Sequence, residues 1–186
     1  MSERLVLHTR RLTLRPFRQT DAPMVREFAG AWEIADTTLG IPHPYEEGTA
    51  EKWIDSRAQA YRDGKIVDYA IVRSCDEQLL GAVTLQMEMR FDRAEFGYWV
   101  GVPFWNQGYC TEATQALVDY GFSDLGLNKI TGKCLVRNPA SARVLAKVGM
   151  TLEGVLRQHV KRWRGYEDVA TYGILKSEWE VVRERR

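Results

Sequence analysis

Hydrophobic positions along the chain change period several times, and each change marks an element. RLTLRPF near the start alternates, with Leu12 and Leu14 on one face, and predicts a strand. A helix is expected from Thr20-Asp21 to Gly30, then a loop-rich segment containing GIPHPY, Gly40 to Tyr45. Ala50, Trp53, Ile54, Ala58 and Tyr61 follow the 3.6-residue helical period until Asp63-Gly64 stops it. Three β-rich runs come next, at 66 to 73, 78 to 88 and 93 to 101, joined by short polar links that suit an antiparallel meander.

The pattern then switches to alternation between strand and helix. Ala113, Ala116, Leu117 and Tyr120 form one face of a helix ending at Leu125-Gly126, and KITGKCLV follows as a strand. A strand, a helix of about four turns and a strand make a βαβ crossover, whose strands run parallel and whose ligands gather beyond their carboxyl ends. In NPASARVLAKVGM, Asn138 caps, Pro139 opens and Gly149 stops a second helix, before the strands MTLEGVLR and DVATYGIL. Seven strands with flanking helices are expected, in one α/β domain spanning 1–186.

Composition narrows the functional classes. A hydrophobic fraction of 45% with 27% charged residues is that of an ordinary globular chain, and a net charge of +1 supplies no long-range field for nucleic acid. The basic-aromatic run HVKRWRGY, His159 to Tyr166, reads as a solvated hairpin loop, with phosphate contact as the alternative. No window approaches the roughly 18 apolar residues of a membrane span, and the N-terminus lacks a secretory pattern. Cys75, Cys110 and Cys134 are an odd, scattered set that fits a reduced, cytoplasmic setting. His8, His43 and His159 have no spaced metal partner, so no metal is expected.

WNQGYCTEA, Trp105 to Ala113, sits where a strand ends and a helix begins, so unpaired N–H groups point out of the helix start. Gly108 would let the backbone approach a pyrophosphate, with the amides of Gln107, Tyr109 and Cys110 as a nest and Thr111 as a cap or hydroxyl donor. A glycine in such a turn also serves as simple punctuation.

EFGYWVGVPFWNQGYCTEA resembles the acetyl-CoA loop of the GNAT superfamily of N-acetyltransferases. RLTLRPFRQTDA, IPHPY, NPASARVLAKVGM and GYEDVATYGIL are similar to its branch of ribosomal-protein N-terminal acetyltransferases, so nearly the whole chain is covered. Phe104, Trp105, Gly108, Tyr109, Thr111, Glu112 and Ala113 fit the family pattern Tyr-Trp-Gly-Lys-Gly-Tyr-Ala-Thr-Glu-Ala, whereas Asn106 replaces a glycine and Cys110 a smaller residue. The resemblance implies a twisted mixed sheet whose two central parallel strands splay around the pantetheine of acetyl-CoA. Trp99, Val100 and Val102 would lie beside the pantetheine and acetyl group, with Asn138 just past the second strand.

Acetyl transfer to an amine needs a neutral nucleophile, a donor for the oxyanion and a proton for the departing thiolate. By spacing, Ser141 aligns with Val144, Leu145 and Val148 and would face the core; the resemblance implies that it is the acid near the sulfur. Glu95 shares a strand face with Gly97 and Trp99 and is the candidate proton relay, with a structural ion pair as the alternative. The oxyanion donor is a backbone N–H near Val100. Arg143 and Lys147 approach the nucleotide phosphate or stand solvated, and Asp168 fixes the sheet end. Trp32, His43 and Tyr45 shape an acceptor pocket or pack at the surface. The expected activity is acetylation of a protein N-terminal α-amine. The alternatives are a small-molecule amine such as a polyamine or antibiotic, and an acyl-CoA-binding module without turnover. A homodimer is expected as the assembly, without stable nucleic-acid or membrane partners.

Overall fold

The computed structural model describes residues 4–184, so residues 1–3 and 185–186 of the expected domain lie outside the described part. Its strands are β1 (Leu7–His8), β2 (Leu12–Arg15), β3 (Ile66–Arg73), β4 (Leu79–Glu88), β5 (Arg93–Val100), β6 (Lys129–Leu135), β7 (Thr151–Arg162) and β8 (Gly165–Leu175). They form one sheet in the order β1-β2-β3-β4-β5-β6-β8-β7, with β5 and β6 its one parallel neighbouring pair. The strand beyond the expected seven is β1, too short at two residues to show an alternation.

Helices α1 (Ala22–Ala29), α2 (Trp32–Thr37) and α3 (Thr49–Arg62) precede β3; α4 (Tyr109–Ser123) joins β5 to β6; α5 (Pro139–Lys147) follows β6; α6 (Lys176–Glu184) closes the described chain. Both sheet faces are covered, which is why β3 and most of β4 are buried throughout. Val83, Leu85 and Phe96 pack in the core that holds Leu117 and Phe122 of α4, while Ala70, Ala82 and Trp99 face Val25 of α1 and Ile54 of α3.

HVKRWRGY is the tip of the hairpin of β7 and β8, and its His159, Lys161, Trp163, Arg164 and Tyr166 are exposed as expected, but most of the run is strand rather than loop. His159 to Arg162 continue β7, Gly165 and Tyr166 begin β8, and only Trp163 and Arg164 turn. Its tip folds onto α2: Arg162 donates to the carbonyls of Ala35 (2.7 Å) and Leu39 (3.1 Å), and Arg164 reaches Asp36 at 3.2 Å. Arg162 is thereby engaged within the protein, whereas Arg164 and Lys161 stay exposed. Asp168 ties the end of β8 to its neighbours, accepting from Gln158 N–H through its side chain and from Val136 N–H through its carbonyl.

Strands β5 and β6 pair only from Arg93↔Lys129 to Phe96↔Gly132. Beyond that point β5 runs on to Val100 and β6 to Leu135 without pairing to each other, so the sheet is forked at its centre. Gly101 N–H donates to Leu80 O on β4 at 2.8 Å. Backbone groups alternate sides along an antiparallel strand, so those of Tyr98 and Val100 point the other way, into the fork.

Gly81 on β4 lies opposite Val100, and a Cβ there would sit 2.1 Å from the carbonyl oxygen of Trp99. Backbone, rather than a flexible side chain, would have to move. Gly81→Ala should therefore destabilise the fold by about 2–3 kcal/mol, read from the midpoint shift in urea unfolding.

Candidate active site

The loop ahead of α4 is shaped by two residues in left-handed conformation, Asn106 (φ 59°) and Gly108 (φ 80°). Asn tolerates that region better than most residues, so the asparagine in place of the family glycine keeps the turn. No side chain caps α4, and Glu112 N–H, bonded to Gly108 O at 3.0 Å, is the first amide of the helix held by a backbone carbonyl. The amides before it remain directed at solvent, the arrangement that receives an anion. Asn106, Gly108 and Thr111 line the cavity at this point, and Arg143 and Lys147 of α5 line the same cavity.

Arg11 and Glu112 fix this loop to β2. Arg11 donates to Glu112 through its Nε (2.7 Å) and its backbone N–H (2.8 Å), reaches Gln107 O at 3.0 Å, and lies over the Tyr109 ring at 4.4 Å. Burial alone would raise the Glu112 pKa, but hydrogen bonds from Thr9 and Arg11 outweigh it and hold the carboxyl below its ordinary value. The matching Glu112 therefore anchors the loop.

One cavity of about 780 Å³ runs from this loop through the fork to the opposite sheet face. Tyr98, Cys110, Cys134 and Ser141 line it on the α4–α5 side; Thr84, Glu95, Gly97 and Trp99 line it on the α1–α3 side. Asn138 accepts Ser141 N–H at 3.1 Å, which fixes the first turn of α5, and Ser141 Oγ lies 2.7 Å from Tyr98 OH. Ser141 thus faces the cavity rather than the core. Burial pushes the Tyr98 hydroxyl well above its ordinary pKa, the thiols of Cys110 and Cys134 add to this, and the Ser141 bond offsets part of it. Both hydroxyls hold their protons at neutral pH. Burial likewise pushes the Cys110 thiol up to about 12, so Cys110 stays a protonated, weakly nucleophilic wall residue. Trp105 Nε1 caps Val100 O at 2.6 Å, which leaves the Val100 N–H as the donor directed into the fork.

The other candidates are placed as follows. Glu95 is bonded to Lys133 Nζ at 2.7 Å, with its side chain 40% exposed. Asn138 spends its amide group on Thr37 O (3.2 Å) and Ser141 N–H, so its side chain joins α2 to α5. Val102 packs against the cluster around Phe28, Tyr109 is turned into the core, and the Gln107 side chain bonds Pro103 O at 3.0 Å. None of these three lines the cavity, so any part they have in binding falls to their backbone. Tyr45 lines it, while Trp32 and His43 meet edge to face near Trp163. Tyr98 is the residue that sequence reasoning missed: one aromatic in a strand of aromatics carries no signal until its hydroxyl meets Ser141.

Residues 11–151 match the family described as Acetyltransferase (GNAT) domain. The chain belongs to the GNAT acetyltransferase family. The chain is 30% identical to the uncharacterized N-acetyltransferase p20 of Bacillus licheniformis over 176 residues, 93% of this chain and 97% of that protein. The Escherichia coli ribosomal-protein-serine acetyltransferase is 33% identical over 98 residues, 52% of this chain and 55% of that protein. Among solved structures, the ribosomal L7/L12 α-N-protein acetyltransferase in complex with coenzyme A superposes with a TM-score of 0.83 at 22% identity, covering 92% and 98% of the two chains. This chain is accordingly an acetyl-CoA-dependent N-acetyltransferase with the GNAT fold, and the fork is that fold's central splay.

Two outcomes follow for this acetyltransferase. Iodoacetamide at neutral pH should modify the exposed Cys75 and spare Cys110, as read by peptide mass spectrometry. Because the folded pKa of Glu112 lies below its unfolded value near 4.3, its contribution is complete above that pH and is lost as pH falls through the folded value. Glu112→Gln should lower the melting midpoint at neutral pH and flatten its fall below about pH 4.3.

Proposed function

We propose that the enzyme transfers the acetyl group of acetyl-CoA to the N-terminal α-amine of a protein or peptide. The observation that carries this is the charge of the cavity. Glu95 is the one carboxylate among its described lining residues and is already paired with Lys133, while Arg57, Arg143 and Lys147 add three more cations. A polyamine keeps several positive charges while bound and needs carboxylates around it; a peptide N-terminus brings one amine. The similarity to the ribosomal-protein-serine acetyltransferase supports the same reading.

The residues present fit acetyl-CoA. The amides ahead of α4 and the cations Arg143 and Lys147 suit its phosphates, and the strand edge at Tyr98 with the N–H of Val100 suits its amide-bearing pantetheine arm. When bound, the cosubstrate supplies an activated acetyl group and a thiol leaving group. Val100 N–H serves as the donor that steadies the carbonyl oxygen. Ser141 Oγ and Tyr98 OH offer a hydrogen bond where the thiol departs. An ordinary thiol has a pKa near 8.5, below that of either hydroxyl, so their contribution is a hydrogen bond to developing charge rather than full proton transfer.

The acceptor asks little of Glu95. An α-amine with a pKa near 7.8 is about one third neutral at pH 7.5, whereas a lysine near 10.4 is neutral in about 0.1% of molecules. A lysine-directed site would need an unpaired general base or a drier pocket to recover that factor.

Peptides carrying both amines should accordingly be acetylated first at the α-amine, as located by fragmentation mass spectrometry. Faster lysine modification, or activity confined to polyamines, would contradict the proposal. Ser141→Ala should lower turnover by roughly ten- to a hundredfold while retaining acetyl-CoA binding, measured by the ligand-induced shift in melting midpoint. Unchanged turnover would remove Ser141 from the chemistry.

A further inference from the structure

Three residues one helical turn apart, Thr49, Trp53 and Arg57, bring a stripe of α3 to the cavity wall on the α1–α3 side. Trp53 is held edge-on by Phe17, with ring centroids 4.8 Å apart, and the Arg57 guanidinium lies 5.6 Å from the Trp53 ring centre. Arg57 Nε is shielded from solvent and has no hydrogen-bond acceptor among the described residues. No described carboxylate comes within 4.0 Å of Arg57. Asp68 on β3 feels its charge and is fully buried, with Oδ1 bonded to Arg4 at 2.9 Å and Oδ2 without a partner among the described residues, but it lies beyond salt-bridge distance of Arg57 and does not line the cavity. A half-buried guanidinium with donors to spare, in a cavity whose one acid is engaged elsewhere, is built to receive a carboxylate.

We propose that Arg57 sets acceptor specificity by pairing with an acidic side chain at the second or third residue of the peptide that is acetylated. This deepens the N-terminal acetyltransferase reading and rests on it. The position comes from the sheet. Asp68 of β3, which feels the Arg57 charge, is paired with Thr84 of β4, which lines the same cavity as Arg57, and the fork lies just beyond β5. Neighbouring strands are about 4.8 Å apart, so one and a half to two and a half spacings separate Arg57 from the reacting amine, or roughly 7–12 Å. An extended peptide advances about 3.3–3.6 Å per residue, which places a carboxylate of residue two or three at that distance. Trp53 and Tyr45 would flank the peptide between the two points, since both line the same wall.

The test uses peptides with one common N-terminus and Glu, Gln or Lys at position two or three, with kcat/KM read from thiol release. In at least one of the two series the Glu peptide should exceed the Gln peptide by about tenfold or more, and Lys should be slowest. Arg57→Gln should bring the Glu-to-Gln ratio towards one, and Arg57→Glu should turn the preference towards Lys. A preserved acetyl-CoA-induced melting shift in each variant certifies a folded donor site. If Arg57 only balances the buried charge of Asp68, the variants lose stability while the ratios stay as in the wild type, and the proposal fails. Equal rates for all peptides would overturn the role of Arg57 and leave the N-terminal reading standing. Turnover of spermidine but of no peptide would overturn both. Faster turnover of a small phosphorylated amine such as phosphoethanolamine than of any Glu peptide would give Arg57 to phosphate and overturn the carboxylate assignment.

Discussion

Four residue pairs hold β5 to β6, and the loss of pairing after Phe96 and Gly132 exposes hydrogen-bonding groups in the middle of a sheet. Unmet backbone groups are costly where they are dry, so such a fork persists only where water or a ligand can reach it. Its geometry is held from outside. Leu145 of α5 packs where a Cβ on Gly132 would come within 2.7 Å of it, so α5 is seated at the last paired residue. The start of that helix, with Ser141, is thereby held over the gap. On the other side, Trp105 takes the carbonyl of Val100, and Gly101 continues the ladder to β4. The fork is therefore kept open by packing and by a defined set of hydrogen bonds.

The remaining chemistry follows from what the fork connects. On one side it meets an uncapped helix start gripped by Arg11 and Glu112; on the other it meets the stripe of α3 and the wall beyond Thr37. The wall itself is secured at a distance. Arg137 bonds the carboxylate of Asp36 at 3.0 Å and its carbonyl at 2.6 Å, and also pairs with Glu167, while Arg162 covers the carbonyls that follow. Donor and acceptor surfaces thus share supports: Asn138 bonds both Thr37 O and Ser141 N–H. A change at Thr37 can reach Ser141 through that one amide.

Features governed by local pattern were legible in the sequence. The meander of β3, β4 and β5, the caps of α5 and the glycine turn before α4 each depend on neighbours within a few residues, and each lies close to where the periodicity put it. The short helix α2 was not legible, because its six residues lack a capping side chain and its last carbonyls, those of Ala35, Asp36 and Thr37, are satisfied by Arg162, Arg137 and Asn138, more than 100 positions away. In HVKRWRGY the engagement of Arg162 was hidden for the same reason, because its partners, Ala35 O and Leu39 O, are distant in sequence. At the site, the family loop and Ser141 could be named from their motifs. Tyr98 emerges only when the fork brings it to Ser141, and Arg57 only when the helix stripe is seen against the cavity.

The central claim is that the backbone edges in the fork are free to receive the donor, and amide hydrogen exchange resolved by residue tests it most directly. Without ligand, the amides of Tyr98 and Val100 should exchange faster than that of Trp99, whose side of the strand faces β4. Saturating coenzyme A should slow exchange at Tyr98, Val100, Cys110 and Thr111 together. Tyr98 and Val100 amides that are already protected in the free protein, or protection by coenzyme A confined to other strands, would contradict the account.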